Sequence, residues 1–250
     1  PLNGFSVIER VIERAKHVRA CQDIVLCTST QNQDLPLTRI AKENDIYYFN
    51  GHQDDVLQRI LDAANLFGFD YFIGITADNS LFSIYHANRI SDMVRQDHSL
   101  DFVYTRGMPI GLNIYALNVK ALKTVCAVKQ EVDTEIWGYL INRPEIFNVR
   151  EIDVGLEFVR DKYRLTLDEP DDYRLFKALF QSFAGDDVID VLDAYDVLDN
   201  NPEMASINSK VVQKDLDDEI KKKIDQYYIK KKNKILEIKN LIYSYKINKI

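Results

Sequence analysis

The sequence lacks the residue patterns that mark several common classes of protein. Three cysteines in 250 residues, none in a CxxC pair, indicate neither a disulfide framework nor a cysteine zinc site, so we expect a reducing, cytoplasmic location. The four histidines form no HxxxH or HExxH pair, which disfavours a histidine zinc site. No GxGxxG segment follows a predicted strand, which disfavours a nicotinamide-dependent oxidoreductase.

Long hydrophobic stretches are absent as well. The apolar runs fall far short of the roughly 20 residues that a helix needs to cross a bilayer, so we expect no membrane insertion. With 46% hydrophobic and 28% charged residues, the chain has a globular composition, and 250 residues suffice for one α/β domain with a small appendage. The net charge of −7 and the lack of a nucleic-acid motif predict no nucleic-acid partner.

The first hundred residues alternate between helix-like and strand-like segments. Residues 5–18 carry the apolar stripe of an amphipathic helix, and residues 70–75 are an apolar run with aromatic and β-branched side chains. This alternation predicts an α/β fold, a Rossmann-like and mostly parallel sheet flanked by helices. The predicted helices cover 5–18, 36–44, 54–69 and 84–96, and the predicted strands cover 23–30, 46–51 and 70–75.

The region from 101 to 168 is less regular, and we predict a small mixed insertion with antiparallel strands there. Beyond it, Pro170 marks the start of another helix. The predicted elements are strands at 101–105, 111–117, 147–154 and 163–167 and helices near 118–126 and 131–142.

Charge separates a body from a C-terminal tail. Residues 221–250 hold ten lysines and two acidic residues, whereas residues 1–220 hold 22 basic and 37 acidic residues. We therefore predict an α/β domain over 1–214 and a lysine-rich amphipathic helix over 215–250.

The tail has a heptad-like apolar pattern, with a lysine at one stripe position. Its possible roles are docking on the body or pairing with a second copy, linking to a further domain, or offering a basic surface to nucleic acid or anionic lipid. The stripe consists of Tyr228, Ile235, Ile238, Ile242 and Tyr245, with Lys231 between the first two.

Two aspartates stand directly behind apolar segments. Asp78 follows the strand at 70–75, and Asp168 follows the alternating segment at 163–167. Open α/β sheets bind ligands outside the carboxyl ends of their strands, so both positions are candidates for a site. Together the two carboxylates would suit Mg²⁺, which proteins usually hold with one or two carboxylates plus substrate phosphates. The alternative for Asp78 is that it only caps the following turn or helix.

Seven segments, in order, resemble the cytidylyltransferases that activate acidic sugars, especially the spore-coat-polysaccharide branch, which is related to the enzymes that make CMP-octulosonate and CMP-sialate. The resemblance runs from residue 1 to about residue 214, so the basic tail lies outside it. The segments are PLNGFSVIERVIERAK (1–16), GHQDDVLQRILDAANLFGFD (51–70), ITADNSLFS (75–83), PIGLNIYAL (109–117), DTEIWGYLINRPEIFNV (133–149), YRLTLDEPDDYRLFKALF (163–180) and NPEMASIN (201–208).

The resemblance implies a nucleotidyl transfer in cell-surface polysaccharide or glycan biosynthesis. CTP and a sugar or sugar acid would give a CMP-sugar and pyrophosphate, with Mg²⁺ as the cofactor. By the same resemblance, Asp78 and Asp168 are the catalytic residues and the metal ligands, and a homodimer is expected.

The resemblance also implies several substrate-binding residues. Arg59 would face substrate anions, although Asp55 or Asp62 on its own predicted helix would be an equally good partner. Thr76, Gly111 and Asp133 would line the sugar or base pocket.

Several features of the family pattern are missing. The family begins with a strand and a loop of the type Q-A-R-x-x-S-x-R-x-P-x-K that holds the triphosphate, and we expect this segment to lie upstream of Pro1. The family's G-L-D-V-E reads GLNIY at 111–115, and its D-R-E-H-V reads DTEIW at 133–137, so the pocket loses charge. An alternative hypothesis is therefore a catalytically degenerate relative that scaffolds a partner through its tail helix.

Overall fold

Amphipathic helices and short apolar strands alternate along the chain and build an α/β fold with flanking helices and a long C-terminal helix, as predicted. The computed structural model describes residues 1–19, 21, 23–183 and 188–244. The strands are β1 (Val25–Ser29), β2 (Tyr47–Gly51), β3 (Tyr71–Gly74), β4 (Phe102–Arg106), β5 (Tyr115–Asn118) and β6 (Val149–Asp153). The helices are α1 (Val7–Lys16), α2 (Leu35–Glu43), α3 (Val56–Phe67), α4 (Ile84–Gln96), α5 (Val119–Val128), α6 (Gly138–Ile141), α7 (Pro170–Gln181), α8 (Val191–Asn200), α9 (Pro202–Ala205) and α10 (Asp218–Ser244).

The strands pair in two groups. β1 and β2 form a parallel pair, and the other four strands form a sheet in the order β3, β5, β4, β6. β5 runs antiparallel to both of its neighbours, whereas β4 and β6 are parallel. The register places Tyr115 opposite both Gly74 and Tyr104, so the carboxyl ends of β3, β4 and β6 lie at the same edge as the start of β5. The antiparallel pairing expected within residues 101–168 is thus present between β4 and β5.

Neighbouring residues of the central strands pack into different parts of the core. Phe102 and Leu117 belong to a cluster with α3, α5 and α10, whereas Val103 and Ala116 belong to a cluster with α1 and α4. Side chains alternate between the two faces of a strand, so this division means that helices cover both faces of the sheet. A third cluster, formed mainly by α7, α8 and the loops before them, lies beside the segment that carries Asp168.

Two predicted elements are wrong in extent. The helix expected at 131–142 is only Gly138–Ile141. The preceding loop is held instead by Thr134, whose hydroxyl donates to Asp55 and accepts from the backbone N–H of Leu57, both at 3.0 Å. These long-range hydrogen bonds favour a loop over a further helical turn.

The strand expected at 163–167 is reduced to one isolated bridge between Ile110 and Arg164. The backbone N–H of Leu165 donates to the carbonyl of Ile110 at 2.8 Å. The segment is nevertheless extended enough to deliver Asp168 directly to the N-terminus of α7, where Glu169 is the N-cap.

The C-terminal helix docks on the body of the same chain. Its apolar stripe buries Ile224, Tyr228 and Ile235 against α5 and its surroundings. Polar contacts flank the stripe, because Arg143 pairs with Asp225 at 2.6 Å and Lys239 donates to Asp101 at 2.7 Å. Docking is therefore the role that the structure gives this helix.

Two further tail residues of the predicted stripe have different outcomes. Lys231 is exposed at its stripe position. Tyr245 falls within 245–250, which lies outside the described residues.

Candidate functional site

Asp78 lies in the turn that follows β3. Its Oδ2 accepts a hydrogen bond from the hydroxyl of Thr166 at 3.1 Å, and its Oδ1 is buried without a partner in the described part of the chain. The turn itself is closed by Asn79, whose backbone N–H and side-chain amide donate to Thr76. The following helix is capped by Ser83. Asp78 therefore does not serve as the cap that the alternative interpretation proposed, and one of its oxygens has no structural role within these contacts.

Asp168 lies beside Asp78 at this point, although the segment before Asp168 is not a strand. Burial, reinforced by a hydrogen bond and by the repulsion of the Asp78 carboxylate, raises the pKa of Asp168 above the ordinary aspartate range. The opposing influence comes from Arg164, whose Nη2 donates to Asp168 Oδ2 at 2.5 Å. Two carboxyl groups this close create a local negative potential that favours a cation.

Arg164 and Asp172 lie behind the pair and form a buried ion pair. Arg164 Nε donates to Asp172 Oδ1 at 3.0 Å, and the Asp172 side chain is 0% exposed. Burial alone would raise the pKa of Asp172, but hydrogen bonds from Arg164, Asn208 and two backbone N–H groups lower it. When the three aspartates are ionised, Arg164 leaves a local charge of −2, which one divalent cation would balance.

Gly111 has a packing role beside the site. Its φ of +97° favours glycine, and a Cβ there would lie 1.9 Å from the carbonyl oxygen of Leu165. Only glycine allows the loop before β5 to approach the segment that carries Thr166 and Asp168. Gly111 thus fixes the distance between two walls of the site.

Arg59 is held by backbone carbonyls and not by an acidic residue of its helix. Its Nη1 donates to the carbonyls of His52 at 2.6 Å and Gln53 at 3.0 Å. The two candidate helix partners have other contacts: Asp55 pairs with Lys129 at 2.5 Å, and Asp62 accepts from Gln58. The alternative in which one of them pairs with Arg59 is therefore not found in the structure.

Asp133 and Thr76 have only local contacts. Asp133 is exposed and accepts from the backbone N–H of Glu135 at 3.1 Å, while Thr76 accepts from the side chain of Asn79. No hydrogen bond or ion pair joins Arg59 or Asp133 to the aspartate pair within the residues that the structure describes.

Polar atoms without partners concentrate near the ends of β2 and β3. Among the described residues, six buried side-chain atoms lack a hydrogen-bond partner, and five of them lie at the ends of β2 and β3 or on α3, which follows β2. Buried polar groups are normally satisfied, so such a concentration indicates a site for a polar ligand. The five atoms are Asn50 Oδ1, Arg59 Nε, Asp78 Oδ1, Asn79 Oδ1 and Ser80 Oγ.

The aspartate pair fits a partly protein-built Mg²⁺ site. No group of three or more potential metal-ligating residues occurs in the described part of the chain. Mg²⁺ prefers oxygen ligands and is usually held by one or two carboxylates with substrate phosphates, so Asp78 and Asp168 with the unpartnered Asp78 Oδ1 match its donor chemistry.

Sequence reasoning missed Arg164, Asp172 and Asn208. The sequence did contain a pattern that points to Arg164. Arg164, Thr166 and Asp168 are two residues apart, and an extended segment directs such residues to the same side. Asn208, which donates to Asp172 at 2.7 Å from 36 residues away, had no local signal.

Comparisons with known proteins identify the family. The cytidylyltransferase family model matches residues 1–189, and the chain belongs to this family. The Methanocaldococcus jannaschii protein MJ1063 is 28% identical over 217 residues, covering 85% of this chain and 88% of its own length. The spore coat polysaccharide biosynthesis protein SpsF of Bacillus subtilis is 23% identical over 206 residues, covering 80% and 84%.

Solved structures share the fold. A cytidylyltransferase from Leptospira borgpetersenii superposes with a TM-score of 0.76 at 23% identity, covering 86% of this chain and 90% of that one. A CMP:2-keto-3-deoxy-manno-octonic acid synthetase solved in complex with CTP has a TM-score of 0.57 at 11% identity, covering 73% and 90%. Within the described residues, no helix has the length and apolar character needed to span a membrane.

Proposed function

We propose that this chain transfers CMP from CTP to a sugar or sugar acid and releases pyrophosphate in cell-surface polysaccharide or glycan biosynthesis. The observation that carries the proposal is the meeting of Asp78 and Asp168 at the carboxyl edge of the sheet, with one buried oxygen of Asp78 left unpartnered. Family membership and the likeness to SpsF and to a CTP-binding synthetase support the same reaction class.

In the proposed reaction, a hydroxyl oxygen of the acceptor sugar forms a bond to the α-phosphorus of CTP and its proton passes to solvent. The bond between the α-phosphorus and the bridging oxygen breaks, and pyrophosphate leaves with the electron pair. Asp78 and Asp168 would hold Mg²⁺, which when bound neutralises phosphate charge. Thr166 orients Asp78 through its 3.1 Å hydrogen bond, and Asp168 is paired with Arg164.

The unpartnered polar atoms at the end of β2 supply groups for the nucleotide. Arg59 offers a cation whose Nε has no partner among the described residues, and Asn50 offers a free carbonyl oxygen. We propose that Arg59 faces substrate anions and that Thr76, Gly111 and Asp133 line the pocket. A homodimer and a cytoplasmic location stay predictions.

The scaffold alternative requires the tail helix to present a binding face to a partner. The apolar stripe of α10 is instead buried on its own chain at Ile224, Tyr228 and Ile235. This contact favours the enzyme over the scaffold, because the surface that a coiled-coil partner would need is used within the chain.

Calorimetric titration of the full chain with CTP and Mg²⁺ tests the proposal. We expect saturable binding that collapses in Asp78→Asn and persists in Asp92→Asn, a matched control at an exposed position of α4. Pyrophosphate release is then measured with a panel of sugars and sugar acids. Absence of CTP binding in the unaltered protein would overturn the proposal.

A further inference from the structure

We propose that Arg164 is the positioning residue that holds Asp168 in the orientation required to ligate a divalent cation. This role rests on the proposed function, because it presupposes a cation at Asp78 and Asp168. Arg164 divides its N–H donors between a carboxylate at the site and a carboxylate in the interior.

The contacts of Arg164 leave it little freedom. Nη2 donates to Asp168 at 2.5 Å, Nε and Nη2 donate to the two oxygens of Asp172 at 3.0 and 3.2 Å, and Nη1 donates to Gln213. The side chain is 10% exposed. A guanidinium held on three sides in this way keeps one rotamer.

Asp172 anchors this arrangement to α7. Its side chain is 0% exposed and also accepts from Asn208 at 2.7 Å and from the backbone N–H groups of Asp168 at 3.1 Å and Glu169 at 3.0 Å. Because Asp172 is fixed by the helix and by these donors, Arg164 cannot shift to follow Asp168. Asp168 is therefore the partner whose conformation is determined.

Asp168 has reason to need such a restraint. Its side chain is 40% exposed, so without Arg164 it could rotate toward solvent and away from Asp78. Arg164 donates to Oδ2 of this carboxylate. Lysine could not reproduce this geometry, because an ammonium is a single point charge and cannot bridge both carboxylates as a planar fork does.

A purely structural role would give a different result on substitution. If Arg164 served only to neutralise Asp172, lysine would retain that charge and cation binding would not change. If Arg164 positions Asp168, lysine would preserve the charge but weaken cation binding, since loss of an outer-shell partner typically lowers metal affinity by about 10- to 100-fold.

Binding of Mn²⁺ to the full chain separates the two roles. The free Mn²⁺ signal is followed by electron paramagnetic resonance in the presence of CTP, and the loss caused by CTP alone is subtracted. We expect Arg164→Lys to lower Mn²⁺ affinity by about tenfold. Arg174→Lys should bind Mn²⁺ as the unaltered protein does, because Arg174 is 70% exposed and pairs with Asp171 at the surface.

Equal Mn²⁺ affinity in Arg164→Lys and the unaltered protein would overturn the inference and leave the proposed function intact. No Mn²⁺ binding by the unaltered protein with CTP would overturn both. Should Arg164→Lys fail to fold, the double variant Arg164→Met with Asp172→Asn removes both charges of the buried pair and leaves no unpaired charge in the interior. The folded double variant should show the same reduction of Mn²⁺ affinity, by about tenfold. Unaltered Mn²⁺ affinity in this variant would equally refute the positioning role of Arg164.

Discussion

Replacing Tyr228 by alanine should strongly destabilise the protein, because this side chain joins α10 to the body. Tyr228 is 2% exposed, its hydroxyl donates to the carbonyl of Leu140 at 2.9 Å, and the guanidinium of Arg143 lies 4.8 Å from its ring centre. Truncating a buried aromatic residue to alanine typically costs about 3–5 kcal/mol. We expect Tyr228→Ala to lower the free energy of unfolding by that amount in urea titrations followed by circular dichroism.

Two companion variants separate the contributions of the Tyr228 ring and hydroxyl to the free energy of unfolding and provide a control. Tyr228→Phe keeps the ring and should lose about 1 kcal/mol, the net worth of the hydroxyl hydrogen bond. Ile229→Ala, at the next position of the helix and 79% exposed, should change stability by less than about 0.5 kcal/mol. If Tyr228→Ala were no more destabilising than Ile229→Ala, α10 would not be docked in solution and the reasoning would be refuted.

Two further predictions concern backbone strain and pH. Gly111→Ala should lower the free energy of unfolding in urea by more than about 1 kcal/mol, because Gly111 has a positive φ and lies close to the carbonyl of Leu165. Gly138→Ala is the control and should be neutral or slightly stabilising, because a Cβ at Gly138 would meet no heavy atom within 4 Å. Equal effects of the two substitutions would contradict this account. Hydrogen bonds from Tyr163 and Lys162 lower the pKa of Asp199 to about 2. The stability that the ionised Asp199 contributes is therefore present above pH ~4 and is lost as the pH falls toward 2. An NMR titration of the Asp199 carboxyl carbon with a midpoint near 4 would contradict these hydrogen bonds.

Local periodicity predicted the elements whose stability comes from one apolar face. The stripe of residues 5–18 and the run at 70–75 correspond to α1 and β3 within a few residues. The prediction of a helix over 131–142 was wrong because Thr134 is hydrogen-bonded to Leu57, 77 residues away, and to Asp55, 79 residues away. No local sequence pattern encodes such contacts.

Parts of the candidate site could likewise be predicted from local sequence, and other parts could not. The position of Asp78 was predictable because it follows the buried strand β3, whereas Asp168 comes beside it on an extended segment that joins the sheet by only one bridge. The contacts of Arg59 were not predictable from the sequence. Helix spacing favours acidic partners for Arg59, whereas in the structure its guanidinium donates to the carbonyls of His52 and Gln53. Spacing along a helix identifies possible partners, but a preceding loop can supply better acceptors.

The docking of α10 has a consequence for synthesis on the ribosome. Tyr228 follows its acceptor Leu140 by 88 residues, so the body must emerge and remain for a time with the apolar surface around Leu140, Ile146 and Phe147 uncovered. Nascent chains with such exposed surface are prone to aggregation and are natural clients of chaperones. Premature termination before α10 would leave that surface permanently exposed, so truncated products should be degraded or insoluble and should not accumulate as folded proteins.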